Sequence, residues 1–146
     1  MSNEAQNPAS CQTAVSGSVI YPQDLRIGNI LKTPRGVKSI NSVGFKDTVN
    51  NSRDYYATFD NLHEGYFLDY CEAIQISEEL LLKIGAVKLD FKGFPSFNLK
   101  GLQINFINGL WIEYVSRVEI KGLHFLQNIF YFRKSEELDV YSLTDR

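Results

Sequence analysis

Residues 102–115 constrain this chain more tightly than any other stretch. They read Leu102-Gln-Ile-Asn-Phe-Ile107, then Asn108-Gly109, then Leu110-Trp-Ile-Glu-Tyr-Val115. Asn and Gly tolerate positive φ, which a two-residue type I′ turn demands at both central positions. The flanking runs are rich in β-branched and aromatic residues, which favour strands. The spacing predicts an antiparallel hairpin with Phe106 opposite Trp111 and Ile107 opposite Leu110. A lone hairpin is marginal in water, so further strands or a helix must cover its apolar side.

Those neighbours are legible on both sides. Val87, Leu89 and Phe91 alternate with Lys88 and Asp90, the pattern of a half-buried strand. Phe97 and Leu99 begin another short strand, broken at Lys100-Gly101, and Val118-Glu-Ile120 extends the sheet. Upstream lies the best local helix signal. Ser77 serves as N-cap, Glu78 and Glu79 sit in the first turn where the dipole favours negative charge, and Ile76 and Leu81 occupy the positions of a hydrophobic staple. Gly85 supplies a left-handed C-terminal cap. The capping box is incomplete, because its third position is Leu80. A helix this short depends on packing Leu80, Leu81 and Ile84 against a sheet.

The first half reads differently. Leu25, Ile27 and Ile30 are expected in a core, with Gly28 and Asn29 permitting a sharp change of direction. Thr33-Pro-Arg-Gly36 is a turn signal. Residues 37–45 continue as extended chain with a kink at Gly44, residues 47–54 form a polar loop, and Tyr55-Tyr-Ala-Thr-Phe59 favours a strand. Short strands at this spacing predict a small, bent, SH3-like sheet. The expected fold class is therefore α+β: an N-terminal bent sheet, a short capped helix, and a C-terminal antiparallel meander with a closing helix. Residues 1–18 are Asn, Gln, Ser and Ala rich and lack aromatics, which predicts a flexible arm. It either serves no contact or orders against a partner or a second copy of the chain. Residues 19–146 form one domain with halves at 19–75 and 76–146.

Composition narrows the function. The chain has 146 residues with a formal net charge of -2 and a pI near 5.7. Dedicated nucleic-acid binders carry a basic excess, so bulk duplex binding is disfavoured. Cys11 and Cys71 are the two cysteines. One falls in the arm and nothing else resembles an extracellular scaffold, so both are read as reduced thiols. There is no leader-like N-terminus and no apolar run long enough to span a bilayer. A cytoplasmic protein that does not enter membranes is expected.

Three segments carry a resemblance. Asp24-Leu-Arg-Ile-Gly-Asn-Ile30, Ile74-Gln-Ile-Ser-Glu-Glu-Leu-Leu-Leu-Lys-Ile-Gly85 and Leu123-His-Phe-Leu-Gln-Asn-Ile-Phe-Tyr-Phe132 resemble, in this order, a family of small Bacteroidetes phage and prophage proteins. Gln75 stands where that family has Pro, Ser77 replaces Thr and keeps the cap, Phe125 replaces Gln, and Arg133-Lys-Ser135 departs from its usual residues. By period alone, 123–132 fits either a helix (Leu123, Leu126, Phe130) or a strand (Leu126, Asn128, Phe130, Phe132). The resemblance implies helix, a shared fold and a phage or mobile-element setting. Its motifs look structural and carry no catalytic signature.

Candidate chemistry is sparse. Cys71, His63 and Asp69 have the residue types of a thiol nucleophile system, but close sequence neighbours rarely adopt that geometry. A buried thiol beside a surface histidine is the plainer account. Asp60, His63, Glu64 and Asp69 lack metal-ligand spacing and read as a solvated acidic loop. His124, within an apolar helical pattern, reads as a core or boundary histidine. No phosphate-cradling Gly-rich loop is present. No catalytic residue, cofactor or metal is expected, and the chain reads as non-enzymatic.

Two clusters remain. Arg26, Arg35, Lys38, Lys46 and Arg53 are interleaved with Tyr21, Tyr55 and Tyr56, a mixture able to stack bases and hold phosphates, or simply a set of solvated charges. Within it, Arg53, Tyr55 and Tyr56 are the first choice for a ligand site, with only one of the adjacent tyrosines available, since strand neighbours face opposite ways. The segment 59–72, with Asp60, Glu64, Tyr66, Phe67, Asp69, Tyr70 and Glu72 and no Lys or Arg, reads either as a dock for a basic partner or as a strand with one buried aromatic face. By analogy with small phage accessory proteins, a non-enzymatic binding protein is expected, one version of which antagonises host defence by binding a host protein or by sequestering a nucleotide-like signal. The alternative is nucleic-acid binding through the N-terminal sheet.

Overall fold

The structure is a computed structural model that describes residues 20–47, 53–60, 64–90 and 92–144. The expected arm at 1–18, most of the polar loop, Cys11, His63 and Phe91 lie outside the described residues. The fold is α+β, with two antiparallel sheets, one of them a curled half-barrel. The chain divides into two compact units, residues 1–74 with 144–146, and residues 75–143. Among the described residues no helix is long and apolar enough to cross a membrane.

In the N-terminal unit, strands β1 (Ile30–Thr33), β2 (Gly36–Asp47), β3 (Arg53–Phe59) and β4 (Glu64–Phe67) pair in sequence order. Pro34 and Arg35 make the first turn. The Thr33 hydroxyl fastens it, donating to the Gly36 carbonyl at 2.8 Å and accepting from the Arg35 N–H at 3.1 Å. Along the long strand β2 the register slips between Ile40 and Ser42. A bulge of this kind raises local twist and helps a sheet curl. Leu31, Ile40, Ala57, Phe59, Leu68 and Cys71 form the core, with Ile20, Leu25, Val43 and Tyr66 packed around it. Ile27 is a correction: it is 64 % exposed. It occupies the corner of a turn in which Gly28 has φ 95° and the Asn29 side chain accepts from the Arg26 N–H at 2.7 Å. The turn turns Ile27 outward while Ile30, at 2 %, is buried.

Closure of this unit comes from an isolated bridge. Lys32 and Glu72 exchange backbone hydrogen bonds of 2.9 and 2.8 Å. The chain leaving β4 passes through a 3-10 turn at Leu68–Tyr70 and meets the outer edge of β1.

The C-terminal unit begins with helix α1 (Glu78–Lys83). The Ser77 hydroxyl accepts from the Leu80 N–H at 3.1 Å. Leu81 is fully buried and Ile76 nearly so, as a staple requires. Gly85, with φ 102°, lets the Ala86 N–H reach back to the Leu81 carbonyl. Strands β5 (Val87–Leu89), β6 (Ser96–Leu99), β7 (Leu102–Ile107) and β8 (Leu110–Glu113) form a meander in that order. Val87 does not lie on a buried face, as alternation predicts; it sits on an edge strand and is 63 % exposed.

The β7–β8 hairpin has the expected register, Phe106 opposite Trp111 and Ile107 opposite Leu110, with Asn108 and Gly109 at φ 52° and 81°. Lys100 and Gly101 make a second such turn between Leu99 and Leu102, at φ 50° and 97°. One face of the sheet carries Phe97, Leu99, Leu102 and Ile104. The other carries Ser96, Gln103 and Asn105, whose side chains hydrogen-bond at 2.6 to 3.2 Å. Ile120 and Glu113 link residues 118–120 to β8 through backbone bonds to Trp111 and Val118. Helix α2 (Leu123–Lys134) then closes the unit, burying Leu123, His124, Leu126, Gln127 and Phe130. Phe132 is 86 % exposed, which a strand pattern over 126–132 does not explain and a helical one does.

Gly109→Val should lower stability by roughly 1 kcal/mol or more, because a β-branched residue resists positive φ. The measurement is the urea midpoint, and an unchanged midpoint would remove the turn from the account of register.

Candidate functional site

The β2–β3 ladder builds the surface of interest. Ala57 and Phe59 are fully buried on its core side. Two residues earlier on the same face, Tyr55 reaches the rim. It pairs directly with Phe45, and the two rings meet edge to face at a centroid distance of 5.5 Å. Both remain substantially exposed, Phe45 at 56 % and Tyr55 at 45 %. Large rings left in water at the end of a core face are more informative than scattered apolar residues.

Tyr56 faces the other way and is half-buried. It leans across Gly65, where a Cβ would stand only 2.6 to 2.8 Å from its hydroxyl and ring carbons. Phe67 meets it edge to face at 5.1 Å, and the Lys46 ammonium lies 4.2 Å from its ring centroid. Bare backbone, an aromatic edge and a cation therefore occupy this ring. Arg53 opens β3 opposite Asp47, while its side chain lies outside the described residues.

The register thus separates the two candidate tyrosines and brings in Phe45, which sequence reasoning did not select. Its pairing with Tyr55 becomes visible only once the ladder register is known. Of the basic residues, Lys38 is 4.0 Å from the Asp60 carboxylate, which also accepts from the Ser39 N–H at 3.0 Å. The acidic aromatic segment divides as well. Leu68 is buried, Tyr66 packs on the core, Glu72 serves the bridge to Lys32, and Tyr70 is 67 % exposed. Cys71 is 5 % exposed, and burial pushes its thiol up to about 11. Such a thiol holds almost no thiolate at neutral pH and makes a poor nucleophile. Among the described residues, no three His, Cys, Asp or Glu side chains gather to hold a metal ion.

A different group dominates the C-terminal unit. Glu113 ends β8 on the apolar face of the sheet and is fully buried. Its carboxylate accepts from the Val115 N–H at 2.9 Å, the Ser116 N–H at 3.0 Å, the Ser116 hydroxyl at 2.6 Å and the Arg133 guanidinium at 3.0 Å. Burial by itself would raise the Glu113 pKa. The Ser116 hydroxyl, the two backbone N–H groups and Arg133 outweigh it and hold the carboxyl below the usual range. Nothing in the local sequence announces this group, since Arg133 arrives from another element.

The pH consequence has a definite sign. A carboxylate whose pKa falls on folding stabilises the native state fully above its unfolded value, near 4.5, and that contribution disappears as pH drops through the folded value. Glu113→Gln should therefore flatten the acid limb of a stability-versus-pH curve and lower stability at neutral pH. A mutant that keeps the wild-type acid limb would show that another carboxylate governs it. No family model matches this chain, and neither a curated protein nor a solved structure does.

Proposed function

We propose that this chain is a non-enzymatic binding protein of a phage or related mobile element, which takes an aromatic, anionic, nucleotide-like ligand on the rim of its N-terminal sheet. The exposed Phe45–Tyr55 pair carries this reading. Tyr55, braced edge to face by Phe45 and 45 % exposed, presents a ring on which a base can stack, and stacking is worth about 1–3 kcal/mol per base. Tyr56 has a supporting role, because its own ring is already occupied. Arg53 lies two residues before Tyr55 on one strand, the spacing that returns to the same face of a sheet, and is the candidate partner for phosphate. Sequestration of a nucleotide signal, antagonising host defence, is the biological form of this reading. The phage setting rests on the resemblance of 24–30, 74–85 and 123–132.

Calorimetric titration with mono-, di- and cyclic nucleotides tests it. Tyr55→Ala should weaken binding roughly tenfold or more while leaving the melting temperature nearly unchanged. Tyr56→Ala should instead lower the melting temperature, through loss of its contacts with Lys46 and Phe67. Absence of binding across the panel, or equal binding by wild type and Tyr55→Ala, rejects the site. Binding that appears only with oligonucleotides and collapses steeply with salt would transfer the same surface to single-stranded nucleic acid. Native mass spectrometry of protein purified from a bacterial host separates a retained nucleotide from a retained host protein.

A further inference from the structure

The C-terminal unit holds a cleft of about 250 Å³ between the β6–β7 turn, the end of β8 and the end of α2. Asn98, Gly101, Glu113, Tyr114, Arg133 and Lys134 are among its walls. The side-chain acceptors of Glu113 and Asn98 on those walls are engaged within the protein. All four donors to the Glu113 carboxylate come from the protein itself. The Asn98 carbonyl oxygen accepts from the Gly101 N–H at 2.9 Å, which fixes the orientation of that amide.

The same walls carry side-chain donors that the protein does not use. The Asn98 amide nitrogen, the Arg133 N–H groups other than the one on Glu113, and the Lys134 ammonium make no hydrogen bond or ion pair among the described residues. Lys134 folds over Gly101, where a Cβ would lie 2.5 Å from its Nζ. Only a residue without a side chain lets the ammonium sit there, and Gly101 is also the residue that accepts φ 97°. Two cations against one hydrogen-bonded carboxylate leave the walls with a net positive charge and unused N–H groups. Lysine and arginine in that arrangement recognise tetrahedral oxyanions.

We propose that this cleft is an anion site for a phosphoryl group, held by Lys134, the free edge of Arg133 and the Asn98 amide. A phosphate monoester and free phosphate share this chemistry. The cleft is larger than a bare ion needs, so the monoester is the expected occupant. The proposal does not depend on the reading of the N-terminal sheet.

The test is a ¹H–¹⁵N NMR titration of the intact chain with inorganic phosphate, a simple sugar phosphate and, as the carboxylate arm, acetate. Saturable shifts confined to Gly101, Tyr114, Val115 and the α2 terminus are expected for both phosphates, tighter for the sugar phosphate. Lys134→Gln should weaken phosphate binding about tenfold, the loss of one charge-assisted contact. Asn98→Asp keeps an oxygen for the Gly101 N–H but replaces the amide donor with a negative charge, and should abolish binding. Both residues lie outside the core, so the spectra of the free variants should stay native-like. Shifts that never saturate, that are equal in wild type and Lys134→Gln, or that acetate reproduces equally well would overturn the proposal. If phosphate binds as tightly as the sugar phosphate, the monoester assignment falls.

Discussion

Register in the C-terminal sheet depends on two tight turns whose central residues hold positive φ. Lys100-Gly101 and Asn108-Gly109 each join strands with two residues. Side chains alternate with period two, so a slip of one residue would invert every face. With the turns in place, Phe97, Leu99, Leu102 and Ile104 share one face, and Ser96, Gln103 and Asn105 the other. The same constraint sets Glu113 opposite Ile104, on the apolar side. The turns therefore oblige the protein to solve the problem of a buried carboxylate.

The solution draws on three parts of the chain. Burying a charge costs several kcal/mol after relaxation, and full hydrogen bonding is what makes it tolerable. Val115 and Ser116 supply three donors from the turn that follows β8, and Arg133 supplies the fourth from the end of α2. Replacing a buried ion pair by apolar residues of similar size is often neutral for stability, but an apolar residue would not specify where the helix end sits. One carboxylate oxygen of Glu113 takes three of these donors, the Ser116 N–H, the Ser116 hydroxyl and Arg133, and the other takes the Val115 N–H, which leaves the remaining N–H groups of Arg133 unused by the carboxylate. A structural charge thereby leaves a polarised cleft beside it.

Much of this was legible in the residues. The Asn-Gly hairpin, the Ser77 cap and the Gly85 stop are local, and local chemistry is what a sequence displays. The misreadings are all relational. Ile27 has the right polarity for a core but stands at a turn corner. Val87 alternates correctly but belongs to an edge strand. The register slip between Ile40 and Ser42 likewise shows only against the partner strand. Lys100-Gly101 went unread as a hairpin turn because Lys seldom adopts positive φ. In the candidate site, adjacency told that Tyr55 and Tyr56 must face opposite ways. Which of them meets solvent depends on Phe45 and Gly65, residues that reach them only across the ladder.

The backbone bridge between Lys32 and Glu72 changes how the N-terminal unit comes apart. Without it, β1 would be a terminal strand free to peel from the sheet, and local fraying would cost little. With it, the first strand and the segment that follows the last are tied to each other. The loop of chain between them holds the core residues Ile40, Ala57 and Phe59. Fraying of β1 along its outer edge must therefore first break these two bonds. The amide protons of Lys32 and Glu72, which make these bonds, are the ones whose exchange with solvent deuterium reports the opening of that bridge.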